Sequence, residues 1–239
     1  LAAVNTAIPP GTSGAPGVVV LYNDGHGHVG PRVEVTTGDA RTIVAGDFNG
    51  DGLVDLAASN GHDRITVLLS HGDGTFAPEI PSSTGTQPGG MAAGDFDGDG
   101  RLDIVVHSGA GGIISLLRGR GDGTFLDPVS TNVAISPSSW AVGEFNGDGR
   151  ADLVLVRETT AFLQVLLGEA DGTFQVIDQA GPPQPGDLAA GGDFNGDGKQ
   201  DLAVAYTLPG SVSILPGNGD GTFGLGGAYG AGHYITDLT

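Results

Sequence analysis

Four copies of one short acidic loop recur along the chain: Asp47-Phe-Asn-Gly-Asp-Gly-Leu-Val-Asp55, Asp95-Phe-Asp-Gly-Asp-Gly-Arg-Leu-Asp103, Glu144-Phe-Asn-Gly-Asp-Gly-Arg-Ala-Asp152 and Asp193-Phe-Asn-Gly-Asp-Gly-Lys-Gln-Asp201. Their starts lie 48, 49 and 49 residues apart. A period of that size belongs to repeat architectures, in which each unit is one supersecondary element that cannot bury its own apolar face alone. The loop therefore constrains fold and chemistry together.

A second motif keeps the same interval. Gly72-Asp-Gly-Thr-Phe76, Gly121-Asp-Gly-Thr-Phe125, Ala170-Asp-Gly-Thr-Phe174 and Gly219-Asp-Gly-Thr-Phe223 follow the loops, and a degenerate Asn23-Asp-Gly-His-Gly27 precedes them. Asp-Gly between apolar runs is a hairpin signal, because a tight turn needs the positive φ that glycine adopts without steric cost. One period reads as four short strands: one into the acidic loop (residues 42–46 in the first copy), one out of it (56–59), one before the Asp-Gly turn (65–69) and one after it. Four strands per 49 residues, with no capped helical periodicity, predict an all-β propeller whose blades are four-stranded sheets. The aromatic at loop position two (Phe48, Phe96, Phe145, Phe194) is expected to pack between blades.

The ends fall out of phase with the blade. Residues 1–5 resemble 56–60, the strand after a loop, while 235–239 occupy the phase of a strand before one. The expectation is a single propeller over 1–239 with about five blades, one of them split between the N- and C-terminal strands. Those strands would pair with each other, or exchange with a neighbouring molecule. Leu1 shows neither a basic leader nor an initiator Met, as expected of a processed product or a piece of a longer chain.

Composition narrows the chemistry. The 28 acidic and 9 basic residues give a formal charge of −19, which repels nucleic acid and anionic membranes, and no apolar run is long enough for membrane insertion. There are no cysteines, so disulfides, thiolate catalysis and cysteine-based metal sites are excluded. Thirteen of the 28 carboxylates sit in the four loops, where their mutual repulsion is costly unless a cation neutralises it. About four divalent ions would bring the charge from −19 to −11.

Short carboxylates at alternate positions of a tight, glycine-bearing loop match a hard cation such as Ca2+, which takes six to eight oxygen ligands. The candidate ligands are Asp47, Asn49, Asp51, the carbonyl of Leu53, and Asp55; Asp95, Asp97, Asp99, the carbonyl of Arg101, and Asp103; Glu144, Asn146, Asp148, the carbonyl of Arg150, and Asp152; and Asp193, Asn195, Asp197, the carbonyl of Lys199, and Asp201. Position twelve is Ala58, Val106, Leu155 or Val204 rather than a bidentate Glu, so the loop is not an EF-hand. An ion in every blade points to a structural role.

The acidic loops with their following Gly-Asp-Gly-Thr-Phe turns resemble the FG-GAP or VCBS repeats of integrin α-subunit propellers and of many bacterial surface and secreted proteins. That resemblance implies a calcium-bound β-propeller outside the cell, used for adhesion or recognition of a protein or glycan. Glu144 in place of the first Asp, and five blades where such propellers usually have seven, depart from the pattern.

The remaining signals are weaker. Arg120-Gly-Asp122 spells an integrin-recognition tripeptide, but its Gly-Asp belongs to the repeated turn. His26 and His28 could form a minor metal pair, and Trp140 is expected in inner-strand packing. The segments 8–17 and 179–186 are candidates for blade-specific surface loops. No nucleophile elbow or phosphate cradle is found, so the expectation is a chain that is not an enzyme. The alternatives are a lectin, the non-catalytic portion of a larger secreted protein, or a subunit of an extracellular polymer.

Overall fold

The computed structural model describes residues 2–4, 18–21, 28, 33–35, 40–59, 62–85, 88–108, 112–133, 137–157, 162–182, 186–206, 210–230 and 235. Among these there is no helix, and so none long and apolar enough to cross a membrane. Segment 8–17, the turn at 23–27, His26 and all but residue 235 of the strand expected at 235–239 lie outside the described residues. The pairing expected of that strand with the N-terminal one lies outside them too.

The described strands form antiparallel sheets that follow chain order. Four sheets have four strands each: β4 (Ile43–Gly46) to β7 (Ile80–Ser83) through β5 (Asp55–Ser59) and β6 (Arg64–Leu68); β8 (Pro88–Gly94) to β11 (Val129–Asn132) through β9 (Asp103–Ser108) and β10 (Ile113–Leu117); β12 (Ser139–Gly143) to β15 (Phe174–Ala180) through β13 (Asp152–Val156) and β14 (Phe162–Gly168); and β16 (Leu188–Gly192) to β19 (Gly227–Gly230) through β17 (Asp201–Tyr206) and β18 (Ser211–Leu215). The fifth is three-stranded, β1 (Ala2–Val4), β2 (Val18–Leu21) and β3 (Val33–Val35). These are the up-and-down blades the repeat predicts, and the fold is all-β and propeller-type.

The chain divides into two compact units, Leu1–Gly94 with Gly100–Ser130, and Asp95–Asp99 with Thr131–Thr239. In the first, the second strands β5 and β9 are buried along their whole length. Leu56 and Ala58 pack with Val18, Val20 and Leu68, whereas Ala57, one residue out of phase, packs with Ile65, Val67, Met91 and Ile104. That is the period-two alternation of a strand. In the second unit Val154, Val165, Leu202 and Val204 form the equivalent core with Phe145 and Phe223. Each such side chain contributes about 1.5–3 kcal/mol through burial.

The position-two aromatics bind one blade to the next in three of four copies. Phe48 meets Phe125 edge-on at 6.1 Å, Phe96 meets Phe174 at 5.7 Å, and Phe145 meets Phe223 at 5.4 Å. Each loop phenylalanine thus packs on the turn phenylalanine of the following blade. Phe194 departs from the expectation and stays 51% exposed; Phe223 lies in the turn of its own blade and pairs with Phe145 of the blade before, as the rule requires.

Candidate metal-binding loops

Each acidic loop lies between the first and second strands of its blade, and its sequence forces the chain to fold back on itself. Gly50 and Gly52 adopt φ of 76° and 83°, and the same pair recurs in the other three copies. Those left-handed residues turn backbone N–H groups inward onto the carboxylates. Asp47 Oδ1 accepts from the N–H of Gly50 (2.7 Å) and Asp51 (3.2 Å), and its Oδ2 from Gly52 (2.8 Å). Asp193 repeats this with Gly196, Asp197 and Gly198. These bonds, led by those from Gly52 and Gly198, hold the Asp47 and Asp193 carboxyls below the usual carboxylate range.

Position five is fixed in the same way, Asp51 Oδ1 accepting from Leu53 N–H and its Oδ2 from Asn49 Nδ2, both at 2.8 Å. In the first, third and fourth loops the Asn side-chain amide therefore supplies the positive partner of the Asp at position five. The second loop has Asp97 in place of that Asn. There Asp95, Asp97 and Asp99 bring ligand oxygens within 4.8 Å of one another, and no other group of three is assembled so closely among the described residues.

The ninth residue behaves differently. Asp55, Asp103, Asp152 and Asp201 are fully buried at the start of the second strand. Asp55 Oδ2 accepts from Phe48 N–H and Oδ1 from Ser70 N–H, and Asp152 and Asp201 tie position two to Gly168 and Gly217 in the same manner. Asp103 accepts from Gly119 N–H. This carboxylate thus pins the loop to the end of the third strand. Burial pushes the Asp55 carboxyl up and that of Asp152 to about 6, with Asp148 and Glu144 adding smaller repulsion. Asn195 Nδ2 lies 3.4 Å from Asp201 Oδ1, so the ninth carboxylate still borders the loop. The sequence points to this residue as a ligand, and the structure adds its role as a backbone anchor. The sequence signal was a charged residue opening an otherwise apolar strand in all four copies.

The Asp-Gly turns are stabilised within themselves. Asp73, Asp122, Asp171 and Asp220 each accept from the N–H and hydroxyl of the Thr two residues on, an Asx-type turn. Asp122 is therefore engaged inside its turn, and Arg120 Nε donates to Phe125 O (3.3 Å). Trp140 sits on the first strand of its blade opposite Leu155. Gln179, assigned from sequence to a surface loop at 179–186, instead lies in a strand one residue before its end and grips Phe223 through two hydrogen bonds, while residues 183–185 lie outside the described residues.

The donor set fits a hard cation. It is all oxygen, and a carboxylate oxygen that accepts one N–H keeps a second lone pair for an ion. Asp95, Asp97 and Asp99 would hold it most directly in the second loop.

The FG-GAP-like repeat profile matches residues 47–106 and 193–238. No curated protein matches the sequence. Among solved structures, the periplasmic gluconolactonase PpgL of Pseudomonas aeruginosa is similar with a TM-score of 0.65 and 18% identity, covering 92% of this chain and 66% of that one. BBS1N in complex with ARL6DN is similar with a TM-score of 0.61 and 12% identity, covering 94% and 64%. The chain spans just under two thirds of the length of each, and at these identities the likeness shows the fold alone. It nonetheless corrects the expectation that such a chain is not an enzyme. A gluconolactonase has this fold, so a propeller without a recognisable catalytic motif does not exclude catalysis. The other propeller is held in a complex with a protein partner. The segments 47–106 and 193–238 are thus FG-GAP-like in sequence.

Proposed function

We propose that the chain is a calcium-binding propeller module that works outside the cell and presents its surface to a protein or glycan ligand. The observation that carries this reading is the second loop, where three carboxylates converge within 4.8 Å on a backbone already folded around them. Calcium bound there would offset their repulsion and hold the first and second strands of the blade in register. The recurrence of the loop in four blades supports a structural role for the ions, with recognition left to the segments that differ between blades. A neighbour of the same fold bound to a protein partner supports a protein ligand. Equilibrium dialysis against labelled calcium, with magnesium as competitor, tests the metal. Saturable binding that is weakened by Asp99→Asn, which removes a carboxylate every loop carries at that position, supports the reading, and no binding at millimolar calcium refutes it.

A further inference from the structure

Asparagine is followed by glycine at Asn49, Asn60, Asn146, Asn195 and Asn218. Such a step favours loss of the side-chain amide, because glycine has no Cβ to keep its backbone nitrogen away from the asparagine Cγ. Asn60 lies outside the described residues. The other four share the dipeptide and differ in what holds it.

In three acidic loops the nitrogen that would attack is captured. The N–H of Gly50 donates to Asp47 Oδ1 at 2.7 Å, that of Gly147 to Glu144 Oε1 at 2.5 Å, and that of Gly196 to Asp193 Oδ1 at 2.7 Å. Each is a charge-assisted bond, among the strong ones, and the negative charge disfavours the anionic nitrogen that attacks. The amide is held as well. Asn49, Asn146 and Asn195 accept at Oδ1 from the N–H two residues on, at 3.0, 3.1 and 2.8 Å, and each donates from Nδ2 to the carboxylate of that same residue. Cγ cannot turn onto the glycine nitrogen without breaking both bonds.

Asn218, at the entry to the fourth Asp-Gly turn, is exposed. Its Nδ2 donates to the neutral hydroxyl of Thr222 at 2.9 Å, and among the described residues no acceptor holds the N–H of Gly219. The side chain beside Gly219 is a cation, for a Cβ added there would stand 3.3 Å from Lys199 Cδ and Cε. The positions 49 residues apart from Asn218 are Glu169, Arg120 and His71, so the turn accommodates an acid at this place.

We infer that Asn218 is where the folded chain deamidates, and that the first carboxylate of each acidic loop preserves Asn49, Asn146 and Asn195 as amides. Gly219 N attacks Asn218 Cγ, the Cγ–Nδ2 bond breaks, and the amide nitrogen leaves as ammonia with the Gly219 proton. Water then opens the succinimide at one carbonyl or the other, leaving aspartate or isoaspartate. Peptide mapping by mass spectrometry of the full chain, held at neutral pH in chelator, follows each site in the folded protein and in urea. In urea the four sites should convert at similar rates. In the folded chain Asn218 should keep close to its urea rate, while Asn49, Asn146 and Asn195 should each slow by about tenfold or more, the rate equivalent of one hydrogen bond to a charged group. In Asp193→Ala, Asn195 should convert faster than Asn49 and Asn146. A folded-state rate at Asn218 no higher than at the loop residues would overturn the inference, as would loop residues that convert as fast folded as in urea. An Asn195 no faster than Asn49 in Asp193→Ala would overturn the role given to the carboxylate.

Discussion

Gln179 holds the backbone of Phe223 from both sides, its Nε2 donating to the Phe223 carbonyl at 2.8 Å and its Oε1 accepting from the Phe223 N–H at 3.0 Å. The pair lies 44 residues apart and joins the outer strand of one blade to the turn of the next. Replacing Gln179 by Ala removes both bonds and leaves two partly buried backbone groups to find water. At about 1 kcal/mol per bond the expected loss is about 2 kcal/mol. Urea unfolding measures it, and a change below about 0.5 kcal/mol would show that the clasp contributes nothing.

The aromatic pairs predict an asymmetry among otherwise equivalent positions. Phe145 is 2% exposed against Phe223, whereas Phe194 is 51% exposed. Phe145→Ala should cost about 3–5 kcal/mol, the range for a buried aromatic, and Phe194→Ala less than about 1 kcal/mol. Thermal melts of the two variants decide this. Equal losses would mean that Phe194 is covered in solution.

Asp152 gives the chain a pH dependence of definite sign in calcium-free buffer. Burial raises its carboxyl to about 6 in the folded state from an ordinary 3.8, so between those values the folded chain binds the proton more readily than the unfolded one. Its contribution is full below pH 3.8 and is lost as pH rises through about 6. Asp152→Asn removes the titration. The stability of the wild type relative to this variant should therefore fall between pH 4.5 and 7, and a constant difference would contradict the raised value.

Much of the blade was legible because its information is periodic. The positive-φ glycines, the alternation in the second strand and the loop phenylalanines recur four times, and a pattern that recurs reports the backbone rather than one environment. Single departures carried less signal. Nothing near Gln179 marks it as a clasp, because its partner Phe223 is distant in sequence and the equivalent positions in the two preceding blades are Ser130 and Pro81. The anchoring role of Asp55 and its equivalents was hidden for another reason. A carboxylate at the edge of an acidic loop looks like one more ligand, and only the N–H groups of Phe48 and Ser70 reveal what it holds.

Calcium in the acidic loops, as proposed above, would support the fold. The most direct measurement is a pair of thermal melts of the full chain, in excess chelator and in millimolar calcium. A ligand that binds only the folded state stabilises it by about 2.7 kcal/mol at a hundredfold excess over its dissociation constant, which at about 2–4 °C per kcal/mol for a chain of this size raises the midpoint by about 5–11 °C for each site so filled. A rise of at least that size is expected with calcium, and a smaller one in Asp99→Asn, which lacks one loop's position-five carboxylate. The same midpoint in chelator and in calcium would contradict it.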